Sequence, residues 1–329
     1  MRRSLYRNAE GRIHQDLTLE QLAAALQDRQ GLVWVDFVGE SVEASEPVLR
    51  DVFHFHPLAI DDALRETHIP KVDDWTNYLY IAMYAVEFGR ATQPRLQAHA
   101  LDAFLGETYL VTHHDHSIAA VDRIWDRCQT DERLVGAGPD HLFYALSDEV
   151  IMAYMRTVED LDQAIDELED AVLARPSPET LQDVLSLKGS LLNLRRLVGP
   201  QREVFNKLAR DEYAMIDPRD RIYFRDVYDH LVRLHDINES MRDQVGGALE
   251  IYLSVINNRM NEIMKTLTII TTLFMPISFL TGFFGMNFFG PVAPRLEAWT
   301  GIPTFVIALA VLLLTPMGFY LWFRRRAFV

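Results

Sequence analysis

Apolar residues recur along this chain at two different intervals, and the interval changes near residue 140. Before that point short runs dominate. Leu17, Leu22 and Leu26 stand at helical spacing within Asp16–Asp28, with Thr18 placed to cap and Gln21 three residues on. Leu32–Val38 (LVWVDFV) is β-branched and aromatic and predicts a strand. Within His56–Trp75 a helix starts at Pro57 and must end before Pro70. Tyr78–Phe88, Arg95–Gly106 and Thr108–His114 read as three successive strands joined by short turns, and Ser117–Gln129 as a helix. Residues 1–139 are therefore expected to form an α/β domain.

From Asp140 the interval becomes three and four. Leu161, Ile165, Leu168 and Val172 make one apolar stripe. Arg175-Pro176-Ser177-Pro178 predicts a helix–helix turn with Ser177 as cap, and a return helix runs from Pro178 to about Arg210. Residues 140–218 thus read as a helical hairpin. After Asp217-Pro218 nothing forbids a helix through Leu273 and on to about Phe284, apart from the weak point at Gly246-Gly247. Such a stalk, residues 219–284, would be about 100 Å long at 1.5 Å per residue. It has to pack against other helices or against copies of itself.

The end of that stalk changes the picture. Thr266–Phe284 carries no charged side chain and reaches roughly 28 Å as a helix, about the thickness of a bilayer's hydrocarbon core. A second uncharged run covers 302–323. Between Lys265 and Arg324 the charged residues are Arg295 and Glu297, both in the connecting loop, 285–301. The basic flanks (Arg259, Lys265, Arg324, Arg325 and Arg326) place both termini in the cytoplasm and the loop outside, with 324–329 a basic tail. The polar start predicts no signal peptide. Pro276 should bend the first span or release one carbonyl.

Charge adds a second constraint. The formal net charge is −15, which argues against a nucleic-acid partner and is compatible both with simple solubility and with attraction of cations. Acidic residues crowd 159–170, a solvated face first and a diffuse cation surface second. The single Cys128 leaves no intrachain disulfide and argues against a thiolate metal cluster. His113, His114 and His116, with His54 and His56, sit at strand ends and turns without an aligned second cluster, a poor basis for a transition-metal site. No phosphate-binding glycine loop, no zinc-protease motif and no nucleophile–base pairing is present, so an enzyme is not expected.

Within the first span, Asn261, Met264, Leu267, Thr271, Met275, Ser278 and Gly282 fall on one face. Polar and small groups mixed with methionines suit an aqueous path, whereas Phe274, Ile277, Phe279 and Phe283 suit lipid. Periodicity alone leaves a channel lining and a helix-packing face equally open.

Gly285-Met286-Asn287 directly after a membrane span, followed by a second span and a basic tail, resembles the CorA family of divalent-cation channels. Thr266–Phe288, Tyr223–His230 (YFRDVYDH) and the segments HPLAIDDAL and PKVDDW carry the likeness along most of the chain. The resemblance implies an α+β membrane protein of the bacterial inner membrane, a funnel-shaped homopentamer in which the long helix lines the pore. It implies that Gly285, Met286 and Asn287 form the selectivity filter, with a ring of Asn287 carbonyls at the outer mouth and the stripe from Asn261 to Gly282 as pore lining and gate. It also implies a regulatory metal site made by Asp62 and Asp226 across a subunit interface, with Asp61, Asp229 and His230 nearby. The expected cargo is Mg2+, with Co2+, Ni2+ and Zn2+ as further divalent ions, and no cofactor; the expected partners are further copies of the chain, lipid and hydrated cations. The outer loop departs from the family's acidic pattern, having Glu297 beside Arg295, and Ser278 stands where a threonine is common. A zinc transporter of the ZntB type shares the architecture, and a membrane-anchored metal sensor is the alternative from another class.

Overall fold

The computed structural model describes residues 1–65, 69–89, 95–174, 176–285 and 302–325. They divide into two compact units, Met1–Glu250 and Ile251–Val329.

Among the described residues the first unit holds a seven-stranded sheet in the order β2-β1-β3-β7-β6-β5-β4. The strands are β1 Arg2–Arg7, β2 Ile13–Gln15, β3 Leu32–Val38, β4 Lys71–Asp74, β5 Tyr78–Gly89, β6 Arg95–Gly106 and β7 Tyr109–His114. Neighbours are antiparallel except β3 and β7, which pair in parallel. Helices cover both faces. On one side lie α1 (Leu19–Ala25), α2 (Val42–Asp51) and α3 (Pro57–Arg65). Their Leu22, Leu49 and Ile60 join Val33, Val35, Phe37, Tyr80, Phe104 and Val111 in one core. On the other side Trp34 meets Trp125 of α4 (Ala119–Thr130), ring centroids 4.9 Å apart. A strand buried on both faces has no polar face to show, which is why β3 reads as a nearly unbroken apolar run.

That run contains Asp36, which is fully buried. Arg3 Nε donates to it at 2.8 Å and the Thr112 hydroxyl at 2.5 Å. His114 Nε2 lies 3.2 Å from the same carboxylate but off the hydrogen-bonding line, so that contact is electrostatic. Burial raises the Asp36 carboxyl, but His114, Thr112 and Arg3 outweigh it and hold it below the usual range. At Gly39, φ is +53° and an added Cβ would lie 2.9 Å from the Asp115 carbonyl, so the turn out of β3 requires glycine.

After the short α5 (Glu132–Gly136), α6 (Pro139–Ala174) and α7 (Pro178–Arg210) form the predicted hairpin. The Ser177 hydroxyl accepts from Thr180 N at 3.2 Å, and Thr180 Oγ1 accepts from Ser177 N at 3.3 Å. Leu161, Ile165, Leu168 and Val172 are buried as their spacing predicts. Cys128 is buried too, and burial pushes its thiol up to about 12.

The helix α8 runs unbroken from Arg221 to Gly285 and belongs to both units; α9 spans Ile302–Arg325. In the first unit α8 buries Phe224, Val227, Leu231, Leu234, Asn238, Met241, Val245 and Ala248. Steps of three and four in strict alternation form a coiled-coil-like seam. Asn238 is its one polar member, and neither amide atom finds a protein partner among the described residues.

Candidate metal cluster and ion path

The described residues close enough to share one ion are Asp148, Asp226 and His230, whose ligand atoms all lie within 4.8 Å of one another. Each is placed by packing. Asp148 sits on α6 one position after the buried Ser147, whose hydroxyl donates to the Phe143 carbonyl at 2.8 Å. Asp226 and His230 stand one helical turn apart on α8, His230 Nε2 being 3.6 Å from Asp226 Oδ2. Aromatic contacts fix the two helices: Tyr144 stacks on Tyr223 at 4.9 Å, and Phe224 lies 6.0 Å from Phe143. Burial raises the Asp148 carboxyl and the Asp226 charge adds to the effect, while His230 opposes it. Two carboxylates held this close repel until a proton or a cation comes between them. A carboxylate–imidazole set suits Co2+, Ni2+ or Zn2+ as direct ligands. For Mg2+, which keeps its water shell, the same groups can accept hydrogen bonds from bound water.

Asp148 was missed by sequence reasoning. It lies on a different helix from Asp226 and 78 positions away, and one acid on an amphipathic helix carries no signal. Asp62 belongs to a different cluster. Lys71 Nζ is 2.5 Å from Asp62 Oδ2 and 2.9 Å from Asp73 Oδ2. Burial alone would lower the Lys71 ammonium's pKa, but the hydrogen bonds to Asp62 and Asp73 outweigh it and raise it. Asp61 pairs with Arg65 one turn on, at 3.1 Å. Asp229 is exposed on α8.

In the second unit Asn261, Met264, Leu267, Thr271, Met275, Ser278 and Gly282 are all exposed within the chain. Ile269, Thr272, Leu273, Pro276, Ile277 and Leu280 are partly covered. At 3.6 residues per turn the two sets face opposite ways, roughly half a turn apart. The Thr271 hydroxyl donates to the Leu267 carbonyl at 2.8 Å, which leaves its oxygen lone pairs outward. Pro276 lies inside the continuous helix, where it lacks the N–H that would reach the Thr272 carbonyl. Gly285 is the last residue of α8; Met286 and Asn287 lie outside the described residues. Among the described residues two helical stretches, Arg221–Phe283 and Phe305–Arg325, contain segments long and apolar enough to cross a membrane.

Of the histidines at strand ends and turns, three are engaged in the fold. His113 and His114 are buried in β7; burial lowers the former, while Asp36 raises the latter against its own burial. His114 Nδ1 donates to the His116 carbonyl at 2.6 Å, and His56 stacks on Trp75 at 4.3 Å.

Comparison with known proteins decides the lineage. The family model for the CorA-like Mg2+ transporter protein matches residues 29–325. The chain belongs to the CorA family. It is 32% identical over 303 residues to the cobalt/magnesium transport protein CorA of Thermotoga maritima, covering 91% of this chain and 84% of that one. It is 26% identical over 271 residues to the zinc transport protein ZntB of Yersinia pseudotuberculosis, covering 82% and 80%. In fold it matches the complete structure of the CorA magnesium transporter from Methanocaldococcus jannaschii, with a TM-score of 0.83 at 24% identity over 99% of this chain and 98% of that one. CorA chains are membrane transporters of divalent metal ions, and this chain has the family's soluble α/β unit, long helix and two apolar C-terminal helices.

Proposed function

We propose that this CorA-family chain forms a homopentameric, funnel-shaped channel in a bacterial inner membrane and admits Mg2+, together with Co2+ and Ni2+, down the electrochemical gradient. Both termini are cytoplasmic in this reading, and the chain performs no catalysis. The division is a cytosolic α/β domain (1–139), a helical hairpin (140–218), a stalk continuing into the first span (219–284), an outer loop (285–301), a second span (302–323) and a tail (324–329).

The observation that carries the reading is the exposed mixed stripe of α8, which faces away from the partly covered side of the same helix. A lipid-facing surface gains nothing from Asn261 or Ser278; a ring of copies around an aqueous axis does. Met264, Leu267 and Met275 then form apolar constrictions that close by dewetting. Asn287 supplies neutral carbonyls that accept hydrogen bonds from the ion's water shell, so a strongly hydrated ion passes without being stripped. Asp62 of one chain and Asp226 of the next hold a cytosolic divalent ion in this reading. Asp61, Asp229 and His230 stand nearby, and Asp148 joins on the Asp226 side. The ion favours the closed state by its greater affinity for it, and falling cytosolic Mg2+ releases the gate.

A second reading, a zinc transporter of the ZntB type, is favoured by His230 in the cluster, since imidazole is a common zinc ligand. Liposome flux separates the two. Mg2+ and Co2+ influx, largely lost in Asn287→Ala, is expected for the channel. Zinc flux driven by a pH gradient with little Mg2+ flux selects the second reading, and no flux of any ion refutes both.

A further inference from the structure

Lys71 and Asp73 are two apart on β4 and so share a face of the sheet, where Asp73 stands opposite Tyr80. The helix α3 covers that face and brings Asp62 down to it. The Lys71 ammonium therefore sits between two carboxylates, 2.5 Å from Asp62 Oδ2 and 2.9 Å from Asp73 Oδ2, with the Tyr80 ring centroid 5.3 Å away. The seat is built rather than incidental. Tyr80 is fully buried, and its hydroxyl donates to Asp102 Oδ1 at 2.7 Å, which fixes the ring beneath the ammonium.

We propose that Lys71 is a tethered cation that competes with the cytosolic divalent ion for Asp62, and so sets the ion concentration at which the regulatory site fills. The inference rests on the reading of Asp62 as a regulatory carboxylate. A bound Mg2+ stands about 2.0–2.1 Å from its ligand oxygens. It cannot take the oxygen that Lys71 holds without two cations coming into near contact, and their repulsion is strong at that range. Lys71 has somewhere to go. Its four-carbon stem is flexible and its charge compact, so it can give up Asp62 while keeping Asp73 and the aromatic ring. Asp73 is thus the resting place that makes the exchange reversible. The divalent ion enters Asp62 as the ammonium withdraws, and the ammonium returns when the ion leaves.

The test uses the full chain in detergent, with Mg2+ titrated and the midpoint of protection against chymotrypsin read out. Chymotrypsin is chosen because removing a lysine does not remove one of its sites. Lys71→Met is expected to move the midpoint up to about fivefold to lower Mg2+, the scale of one lost competing ion pair. Asp73→Asn, which leaves the ammonium more firmly on Asp62, is expected to move it severalfold to higher Mg2+. Lys71→Arg, which keeps the charge and can hold a carboxylate with two N–H groups, should not lower the midpoint. If Lys71→Met leaves the midpoint unchanged or raises it, while Asp62→Asn raises it, the competition is wrong and the Asp62 site stands. If Asp62→Asn changes nothing, the site reading fails and the competition falls with it. Thermal midpoints in chelator show whether each variant folds; should Lys71→Met not fold, an unmoved or lowered midpoint in Asp73→Asn overturns the proposal by itself.

Discussion

Burial raises the carboxyl of Asp102 to about 8, although the hydrogen bond from Tyr80 pulls the other way. The nearby charges of Asp115 and Asp62 add to the rise and Lys71 opposes it. The folded state therefore holds a proton at neutral pH that the unfolded chain releases near 4. Its contribution to stability is full below the unfolded pKa and declines as pH rises toward 8. The slope approaches about 1.4 kcal/mol per pH unit between pH 5 and 7. Asp102→Asn, which mimics the protonated form, should remove this part of the slope; urea unfolding at pH 5, 6, 7 and 8 measures it. A parallel dependence in mutant and wild type would contradict the assignment. Nothing in Arg95–Gly106 marks Asp102 in advance, because a lone acid in a strand carries the same letter whether buried or wet. The same holds for Asp148. Asp226 and His230 could be named from their segment, but their partner on α6 becomes visible only when Phe224 is seated beside Phe143.

Long helices were the most legible elements. The apolar stripe of α6, the Ser177 cap and the unbroken α8 all follow from spacing, as does the Thr18 capping box, where Gln21 N donates to Thr18 Oγ1 at 3.3 Å and Thr18 N to Gln21 Oε1 at 2.9 Å. The elements missed are those whose neighbours, rather than their own residues, make them. β1 reads RRSLYR, with its arginines hiding a strand that buries Ser4 and Leu5. β2 and β4 are three- and four-residue edge strands. α2 contains Pro47, which argues against a helix in any local reading. Gly246 and Gly247 are the weak point of α8 by propensity, yet the helix passes through them and an added Cβ would meet nothing within 4 Å at either position. Gly246→Ala should accordingly stabilise the protein by about 1 kcal/mol in thermal unfolding. Destabilisation instead would mean that a neighbouring copy packs against that bare backbone.

For the whole molecule, the proposed regulation couples the rigidity of the assembly to divalent ions through the cluster and the Asp62 seat. Chelator should leave the full-length protein readily cleaved, and added Mg2+ should restore protection. Asp148→Asn should shift that restoration about tenfold upward in Mg2+, from the loss of one of the gathered ligands. Identical titrations would remove Asp148 from the site.

The sheet topology also bears on how the protein is made. β3 waits for its parallel partner β7, so the sheet cannot close until His114 has been synthesised. All the described strands and both helices of the α6–α7 hairpin precede Thr266, where the uncharged run begins. A ribosome that adds about 5–20 residues per second leaves about 8–30 s between His114 and Thr266, time for the sheet to close before that run emerges. The slow, non-local pairing thus has time to finish before Thr266–Phe284 appears, so that the hydrophobic hairpin follows a sheet that is already closed.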